Sequence, residues 1–215
     1  MLELMAAVTL LGAQDGPSFD CTRAFEPVEN AICTDRELAS LDQRMADRYA
    51  QVRRALWPEA RSALQQDQRW FLGARDEWFE NRDRWADFPD LAARYQGRIE
   101  ALDAIDTVRR NDPVGVWRTV AGFVEIRRTG SGRLQVSMNA ANPTNARWLC
   151  DLEFAAREDG ATIVTSADLD ENVRISLRVR QGVLEVEESR TGTGFGGPAY
   201  CGANGSLSGL YLRTR

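Results

Sequence analysis

The hydrophobic pattern of this 215-residue chain changes its period once, and that change limits the folds the chain can adopt. Up to Ile105 the apolar residues recur every three or four positions, the spacing of helices with one buried face. The helix-breaking sequence Asn111-Asp112-Pro113 follows, and beyond it short runs of β-branched residues alternate with polar ones. The sequence therefore predicts an α+β chain in two parts: a helical domain over residues 19–110 and a small antiparallel β domain over residues 113–215.

Three helices are predicted in the first part. Thr34 and Glu37 have the spacing of a capping box, which marks the start of the first helix. Pro58 suits the first position of the second helix and Pro89 that of the third. The apolar faces of the three helices are Leu38, Leu41, Met45, Tyr49, Val52 and Leu56; then Leu64, Phe71 and Trp78; then Leu91, Tyr95, Ile99, Leu102 and Ile105. Helices with one apolar face each predict an antiparallel bundle.

Seven or eight short strands are predicted in the second part, which favours a small sandwich or closed barrel. Glycine-containing turn signals separate the strands, and the alternation is clearest in residues 173–179. The most evident segments are Phe123–Arg127, Arg133–Met138, Trp148–Phe154, Thr162–Ser166, Val173–Val179 and Val183–Glu187.

The two ends of the β part resemble those of calycin-type barrels. The part opens with Gly115-Val116-Trp117, similar to a G-x-W start, and Arg213 lies near its end. In those barrels a late arginine packs across the tryptophan, so a cation–π contact between Arg213 and Trp117 is expected.

Residues 4–13 form an apolar run with the length of a signal-peptide core, too short to span a bilayer. We interpret residues 1–13 as a signal-peptide remnant, although no positive charge precedes the run. No cysteine follows it directly to carry a lipid, so a stable membrane anchor is not expected. The predicted location is periplasmic or secreted.

Four cysteines, Cys21, Cys33, Cys150 and Cys201, follow this export-like segment. Their even number favours disulfides over a metal site, because no histidine and no C-x-x-C spacing accompany them. Of the three possible pairings we favour Cys21–Cys33 with Cys150–Cys201, since each pair then lies inside one part of the chain. The alternative is four free thiols in a cytosolic protein.

Composition excludes several functions. The chain has no histidine, which rules out Ser-His-Asp and Cys-His catalysis and removes the commonest metal ligand. Residues 20–112 hold 19 acidic residues against 15 arginines, so the helical part argues against nucleic acid and suits a cationic partner. No pair of carboxylates is singled out for glycan hydrolysis. We therefore predict no enzyme activity, no cofactor and no metal.

The helical part resembles the N-terminal domain of the LprI-type lysozyme inhibitor family over roughly residues 19–105. The matching residues are Phe19-Asp20-Cys21, Pro27-Val28-Glu29-x-x-Ile32-Cys33, Asp35-x-Glu37-Leu38, Tyr49 and Gln68-Arg69-Trp70-Phe71-x-x-x-Arg75-Asp76. Members are exported and commonly have a second disulfide in this domain. Here Trp78 and Phe88 stand near those positions, so aromatic packing is expected instead. The resemblance implies a protein that binds and inhibits lysozyme.

The β part is reminiscent of MliC-type lysozyme inhibitors through Ser208-Gly209-Leu210-Tyr211. The hypothesis is an exported binding protein that inhibits lysozyme-type muramidases and so protects the cell envelope. The alternative is a non-catalytic periplasmic module that binds another envelope protein.

Two stretches are candidate partner-binding surfaces. The first is acidic and aromatic, with rings spaced too closely to share one core: Trp78, Phe79, Asp83, Trp85, Asp87 and Phe88. The alternative is that these rings fill the place of the missing cysteines. The second is the glycine-rich loop before Cys201, with Phe195 and Tyr200. The alternative is that this loop is a simple hairpin connection.

Six residues are given structural roles by the same patterns. Arg75 and Asp76 are expected to hold the bundle together as an ion pair, and Glu29 to stabilise the start of a short helix. Trp70 belongs to the motif of the second helix, while Trp117 and Arg213 close the β domain.

Overall fold

The computed structural model describes residues 16–86, 89–130, 132–165, 173–190 and 198–215. Within these ranges four α-helices precede eight strands that close into a barrel. The α+β prediction is confirmed, and of the two β architectures considered the chain adopts the closed barrel.

The helical part contains α1 (Pro27–Thr34), α2 (Arg36–Ala55), α3 (Pro58–Glu80) and α4 (Leu91–Ala104). Short 3-10 turns, Cys21–Arg23 and Arg82–Arg84, precede α1 and α4. The three predicted helices correspond to α2, α3 and α4, and the short helix expected around Glu29 is α1. Pro58 is the first residue of α3 as predicted, but the prediction for Pro89 is wrong, because Asp90 is the N-cap of α4 and the helix starts at Leu91.

The start of α2 differs from the predicted capping box. Asp35, not Thr34, is the N-cap, and its carboxylate accepts the backbone N–H groups of Glu37 at 2.8 Å and Leu38 at 3.1 Å. Thr34 is instead the last residue of α1, where its hydroxyl donates to the Asn30 carbonyl at 2.9 Å. Both residue types cap helices well, so the sequence did not distinguish the two positions.

Two layers of polar contacts establish how the helices run. The first joins Asp42, Tyr95 and Arg75, and the second joins Met45, Arg98 and Gln68. Along both layers residue numbers rise together in α2 and α4 and fall in α3, so α3 is antiparallel to the other two. The start of α2, the end of α3 and the start of α4 therefore lie at one end of the bundle.

Eight antiparallel strands form the barrel, each paired with its neighbours in sequence and β8 closing onto β1. They are β1 (Gly115–Arg118), β2 (Gly122–Arg128), β3 (Leu134–Ala141), β4 (Leu149–Asp159), β5 (Thr162–Thr165), β6 (Val173–Arg180), β7 (Val183–Arg190) and β8 (Gly209–Thr214). In β6 Val173, Ile175 and Leu177 are buried while Arg174 and Arg178 are exposed, as the alternation predicted.

Trp117 is fully buried in the barrel core and its indole N–H donates to the Pro113 carbonyl at 2.9 Å. The Arg213 guanidinium lies 5.3 Å from the Trp117 ring, which confirms the expected cation–π contact. Gly115 has φ +140°, and a Cβ there would approach Arg213 Nη2 to 2.9 Å. The G-x-W start thus needs its glycine so that the arginine can reach the tryptophan.

The helical part and the barrel pack against each other. Val183 and Leu212 of the barrel belong to the same buried cluster as the helix cores. Asp67 of α3 accepts the Val120 backbone N–H at 2.7 Å and forms an ion pair with Arg98 at 2.7 Å, with side chains 8% and 3% exposed. A buried polar network therefore joins the two parts.

Both favoured disulfides are present. Cys21–Cys33 ties the chain before α1 to the end of that helix, and Cys150–Cys201 ties the start of β4 to the segment before β8. Each bond lies within one part of the chain, so neither links the helices to the barrel.

Candidate binding surface

The acidic, aromatic stretch of the sequence lies at the end of α3 and in the connection to α4. Phe79 and Trp85 are half-buried, with part of each packed on the helical core, while Asp83 is exposed. The Arg82 guanidinium stacks over the Phe79 ring at 4.5 Å. Asp87 and Phe88 lie outside the described residues. We call Phe79, Asp83, Trp85 and the neighbouring Asp90 the acidic end of the bundle.

Trp78 is only 5% exposed and does not belong to this surface. Its ring packs in the helical core, and the Arg94 guanidinium of α4 covers it at 4.6 Å. The aromatic packing expected in place of a second disulfide is therefore observed at Trp78. Helical periodicity places Trp78 in line with Leu64 and Phe71, and that regular spacing outweighs the crowding of rings around it.

Sequence reasoning missed Phe25, whose side chain is 85% exposed. It lies in the loop closed by the Cys21–Cys33 disulfide, directly before α1. Glu29 accepts the backbone N–H groups of Phe25 at 3.0 Å and Glu26 at 3.3 Å, so the loop is fixed while the ring projects into solvent. The available signal was a large aromatic between two cysteines that is part of no helical or alternating pattern.

The Cys21–Cys33 disulfide joins this loop to the end of α1 that is next to the acidic end. Cys33 lies one residue before the end of α1, and α2 starts at Arg36. The start of α2 is at the same end of the bundle as the end of α3 and the start of α4. The backbone around Phe25 is therefore tied to the end that carries Phe79 and Trp85.

Arg75 and Asp76 form the predicted ion pair, with Arg75 Nε 2.7 Å from Asp76 Oδ1. Arg75 also donates to the Tyr95 hydroxyl at 2.7 Å, and that hydroxyl donates to Asp42 at 2.9 Å. Burial raises the pKa of Tyr95 above its ordinary value, and the nearby Asp42 carboxylate acts in the same direction. The chain of contacts crosses all three long helices, in agreement with a structural role.

Trp70 is 44% exposed and faces the groove between α3 and the barrel, beside Ser208 and Leu210. It is thus an accessible aromatic residue on the motif helix, although the sequence gave it a structural role.

Of the two aromatic residues named in the second candidate surface, the structure describes Tyr200. Tyr200 is half-buried and donates its hydroxyl to Glu188 of β7 at 2.7 Å, whereas Phe195 lies outside the described residues. Glu188 also accepts the backbone N–H groups of Leu207 at 2.9 Å and Ser208 at 3.0 Å, and the hydroxyl of Ser206. One carboxylate therefore organises the segment that leads into β8.

Glu188 should make the stability of this region depend on pH. Burial raises its pKa, but the hydrogen bonds from Ser206, Tyr200 and Ser208 outweigh that effect, and the net pKa lies below 4.5. The folded chain then binds fewer protons than the unfolded chain, so the stabilisation is present above pH 4.5 and is lost as pH falls through the lowered pKa. Chemical denaturation of the wild type and of Glu188→Gln should differ at pH 7 and converge in acid. A difference that persists unchanged at pH 3 would contradict this role.

The described residues show neither a metal site nor a membrane-spanning helix. No group of three or more acidic, cysteine or histidine side chains is arranged to hold a metal ion there. Nor does any helix in the described ranges have the length and apolarity needed to cross a bilayer.

The helical part is similar to known proteins. Residues 21–109 match the family model described as lysozyme inhibitor LprI, which confirms the resemblance found in the sequence. Curated relatives described as lipoprotein LprI, from Mycobacterium bovis and two strains of Mycobacterium tuberculosis, are 32% identical over 107 residues. The match covers 48% of this chain and 49% of each relative, so the chain spans about half the length of the curated relatives it matches. No solved structure matches the chain.

Proposed function

We propose that this chain, whose residues 21–109 carry an LprI domain, is an exported binding protein that inhibits a lysozyme-type muramidase. The family match is the observation that carries the proposal. The two disulfides support an oxidising location such as the periplasm or the cell exterior, where such bonds persist. The protein would act by occupying the enzyme and not by catalysis.

The charge of the helical part supports a basic partner. Residues 20–112 have four more acidic residues than arginines. At the acidic end the half-buried Phe79 and Trp85 are surrounded by exposed charged side chains. Three of these are acidic, Glu80, Asp83 and Asp90, and two are basic, Arg82 and Arg84. Carboxylates around aromatic rings match a cationic protein surface, where the charges guide association and the rings are buried on contact.

Phe25 is proposed as the residue that enters the partner. A ring that is 85% exposed gains apolar burial only when another molecule covers it. Its loop is already fixed by the Cys21–Cys33 bond and by Glu29, so little conformational freedom remains to be lost on binding. The loop contains Glu26 and Glu29 against a single arginine, Arg23, so its net charge favours a basic cleft over an acidic one.

Replacing Phe25 with alanine should weaken inhibition by about tenfold or more, because truncating a buried aromatic anchor costs about 2 kcal/mol or more of binding free energy. Leu149→Ala is the matched control, since Leu149 is an apolar side chain, 59% exposed, on the barrel. The readout is muramidase activity against titrated inhibitor at low ionic strength. Equal inhibition by Phe25→Ala and wild type would show that Phe25 is not part of the partner-binding surface. The proposed function itself would not be contradicted by that result.

The alternative function is a non-catalytic module that binds another envelope protein. It is favoured by the extent of the match, which covers 48% of this chain. A pull-down with the full chain from an envelope extract separates the two functions. Recovery of a muramidase supports inhibition, whereas recovery of other envelope proteins without any hydrolase supports the alternative.

A further inference from the structure

A groove open to solvent lies between α3 and the start of β8, on the outside of the barrel. Gln66 and Trp70 of α3 line one side of it, and Ser208 and Leu210 line the other. Thr119, in the connection between β1 and β2, also contributes to its lining. The groove has a volume of about 100 Å³. We call it the seam groove.

The seam groove lies where the pairing of β8 with β1 stops. The last paired residues are Arg118 and Leu212, and two residues further along the barrel Val120 would stand opposite Leu210. The Val120 backbone N–H instead donates to Asp67 of α3 at 2.7 Å. The chain therefore turns from the barrel towards α3 here, and Leu210 has no strand partner on the side of β1.

Leu210 directs its backbone N–H and C=O into this gap. Ile105 pairs with Thr214 on the side of β8 opposite to β1, and there the Arg213 carbonyl accepts the Asp106 N–H at 2.9 Å. Successive residues of an antiparallel strand direct their backbone groups to alternate sides, so Leu210, three positions before Arg213, faces β1. Neither backbone group of Leu210 has a hydrogen-bond partner among the described residues.

The unpaired edge of β8 is only one residue long. Leu212 is already paired with Arg118, and the Ser208 backbone N–H donates to Glu188 at 3.0 Å. A peptide that adds a strand to a sheet needs several consecutive unpaired residues. A single secondary amide needs one N–H and one C=O, which Leu210 offers. The gap therefore suits a ligand that carries an acetamido group and not an extended peptide.

The rest of the lining indicates what kind of molecule carries the amide. Trp70 presents a flat ring that is 44% exposed. Beside it are the exposed amide of Gln66 and the hydroxyl of Thr119, which accepts the Ala121 N–H at 3.1 Å and keeps its own proton to donate. The carboxylate of Asp67 is already bound by Arg98, so no free charge favours an ionic ligand. An aromatic ring among neutral polar groups suits a sugar, which has C–H groups on one face and hydroxyls around its edge.

We propose that the seam groove binds an N-acetylated amino sugar, whose acetamido group pairs with the backbone of Leu210 and whose ring stacks on Trp70. A second recess of about 260 Å³ adjoins the groove, because Leu210 lines both, and it leaves room for a further sugar unit. The ligand is thus a short N-acetylated oligosaccharide. Its binding requires no muramidase, so the site is independent of the proposed inhibition.

Variants test the contact with the aromatic ring. Trp70→Ala should raise the dissociation constant of triacetylchitotriose by about tenfold or more, whereas Trp70→Phe, which keeps a ring, should retain most of the affinity. Leu149→Ala is the control, because Leu149 is an exposed apolar side chain on β4, outside the groove. Thermal unfolding shows whether each variant is folded. Unchanged affinity in a folded Trp70→Ala variant would overturn the proposal.

Isothermal titration of the wild-type full chain tests the proposal without any substitution. Three probes are compared: triacetylchitotriose, cellotriose, which has hydroxyls in place of the acetamido groups, and acetyl-alanine methylamide, which has the amide but no sugar ring. We expect saturable binding of triacetylchitotriose and at least about tenfold weaker binding of the other two, because each lacks one of the two contacts. No binding of triacetylchitotriose, equal binding of cellotriose, or preference for the peptide amide would each overturn the proposal.

Discussion

Asp67→Ala is expected to lower the free energy of unfolding by about 3–5 kcal/mol, because it leaves the buried Arg98 without its counter-charge. Asp67 and Arg98 are 8% and 3% exposed in their side chains, so bulk solvent screens the unpaired charge poorly. The substitution also removes the acceptor of the Val120 N–H, which joins the helices to the barrel. Urea denaturation followed by circular dichroism measures the change.

The matched control is Glu158→Ala, which breaks the exposed pair between Arg128 and Glu158. Exposed pairs contribute about 0–1 kcal/mol, so this variant should unfold almost as the wild type does. The double variant Asp67→Leu, Arg98→Met should recover most of the loss, since it removes the unpaired charge as well. If Asp67→Ala lowers the free energy of unfolding no more than the control does, the buried pair does not stabilise the contact between the helices and the barrel.

The second large effect is expected from the Cys150–Cys201 disulfide. Its cysteines are 51 residues apart, so in the chain-entropy account replacing both with alanine should cost about 4 kcal/mol. The Cys21–Cys33 bond spans 12 residues, for which the same account gives about 3 kcal/mol. The denaturation midpoints of the two double variants, measured under identical conditions, show which disulfide contributes more to stability.

The expected order has a structural consequence. Cys150 is fully buried in the barrel, and Cys201 lies in the segment that Glu188 organises before β8. Loss of the bond should therefore weaken the closure of the barrel and also increase the conformational entropy of the unfolded chain. If the Cys21/Cys33 variant proves the less stable of the two, the chain-entropy account is wrong for this protein.

Most of the fold could be predicted because the local spacing of apolar residues indicates each helix and strand. The stripe from Leu38 to Leu56 and the alternation of β6 each specify an element and its buried face within a few residues. The disulfides were predictable because each joins two cysteines of one part. Closure of the barrel was favoured by the number of strands but required the pairing of β1 with β8, which lie far apart in sequence.

Contacts between distant residues could not be predicted in the same way. Nothing near Asp67 in the sequence indicates that its carboxylate binds the Val120 backbone N–H, 53 residues later. Arg94 covers Trp78 for a similar reason: the contact needs the whole connection between α3 and α4 to fold back. The contacts that join the helices to the barrel could therefore not be predicted from the sequence.

The candidate surface was predicted in part. Phe79, Asp83 and Trp85 were found because acids and aromatic rings are concentrated in one stretch, and all three keep exposed or half-buried side chains. Phe25 was missed because its exposure depends on how the Cys21–Cys33 loop is held. No composition pattern distinguishes an aromatic ring that projects from one that packs inward.

The proposed function rests on the recognition of a muramidase, and titration of the full chain against purified c-type, g-type and i-type lysozymes tests it most directly. Residual hydrolysis of bacterial cell walls is measured at low ionic strength and again at high salt. The expected result is that at least one enzyme loses activity in proportion to added protein, and that the loss diminishes with salt because exposed charges are screened. Full activity of all three enzymes in an excess of folded, disulfide-bonded protein would contradict the proposed function.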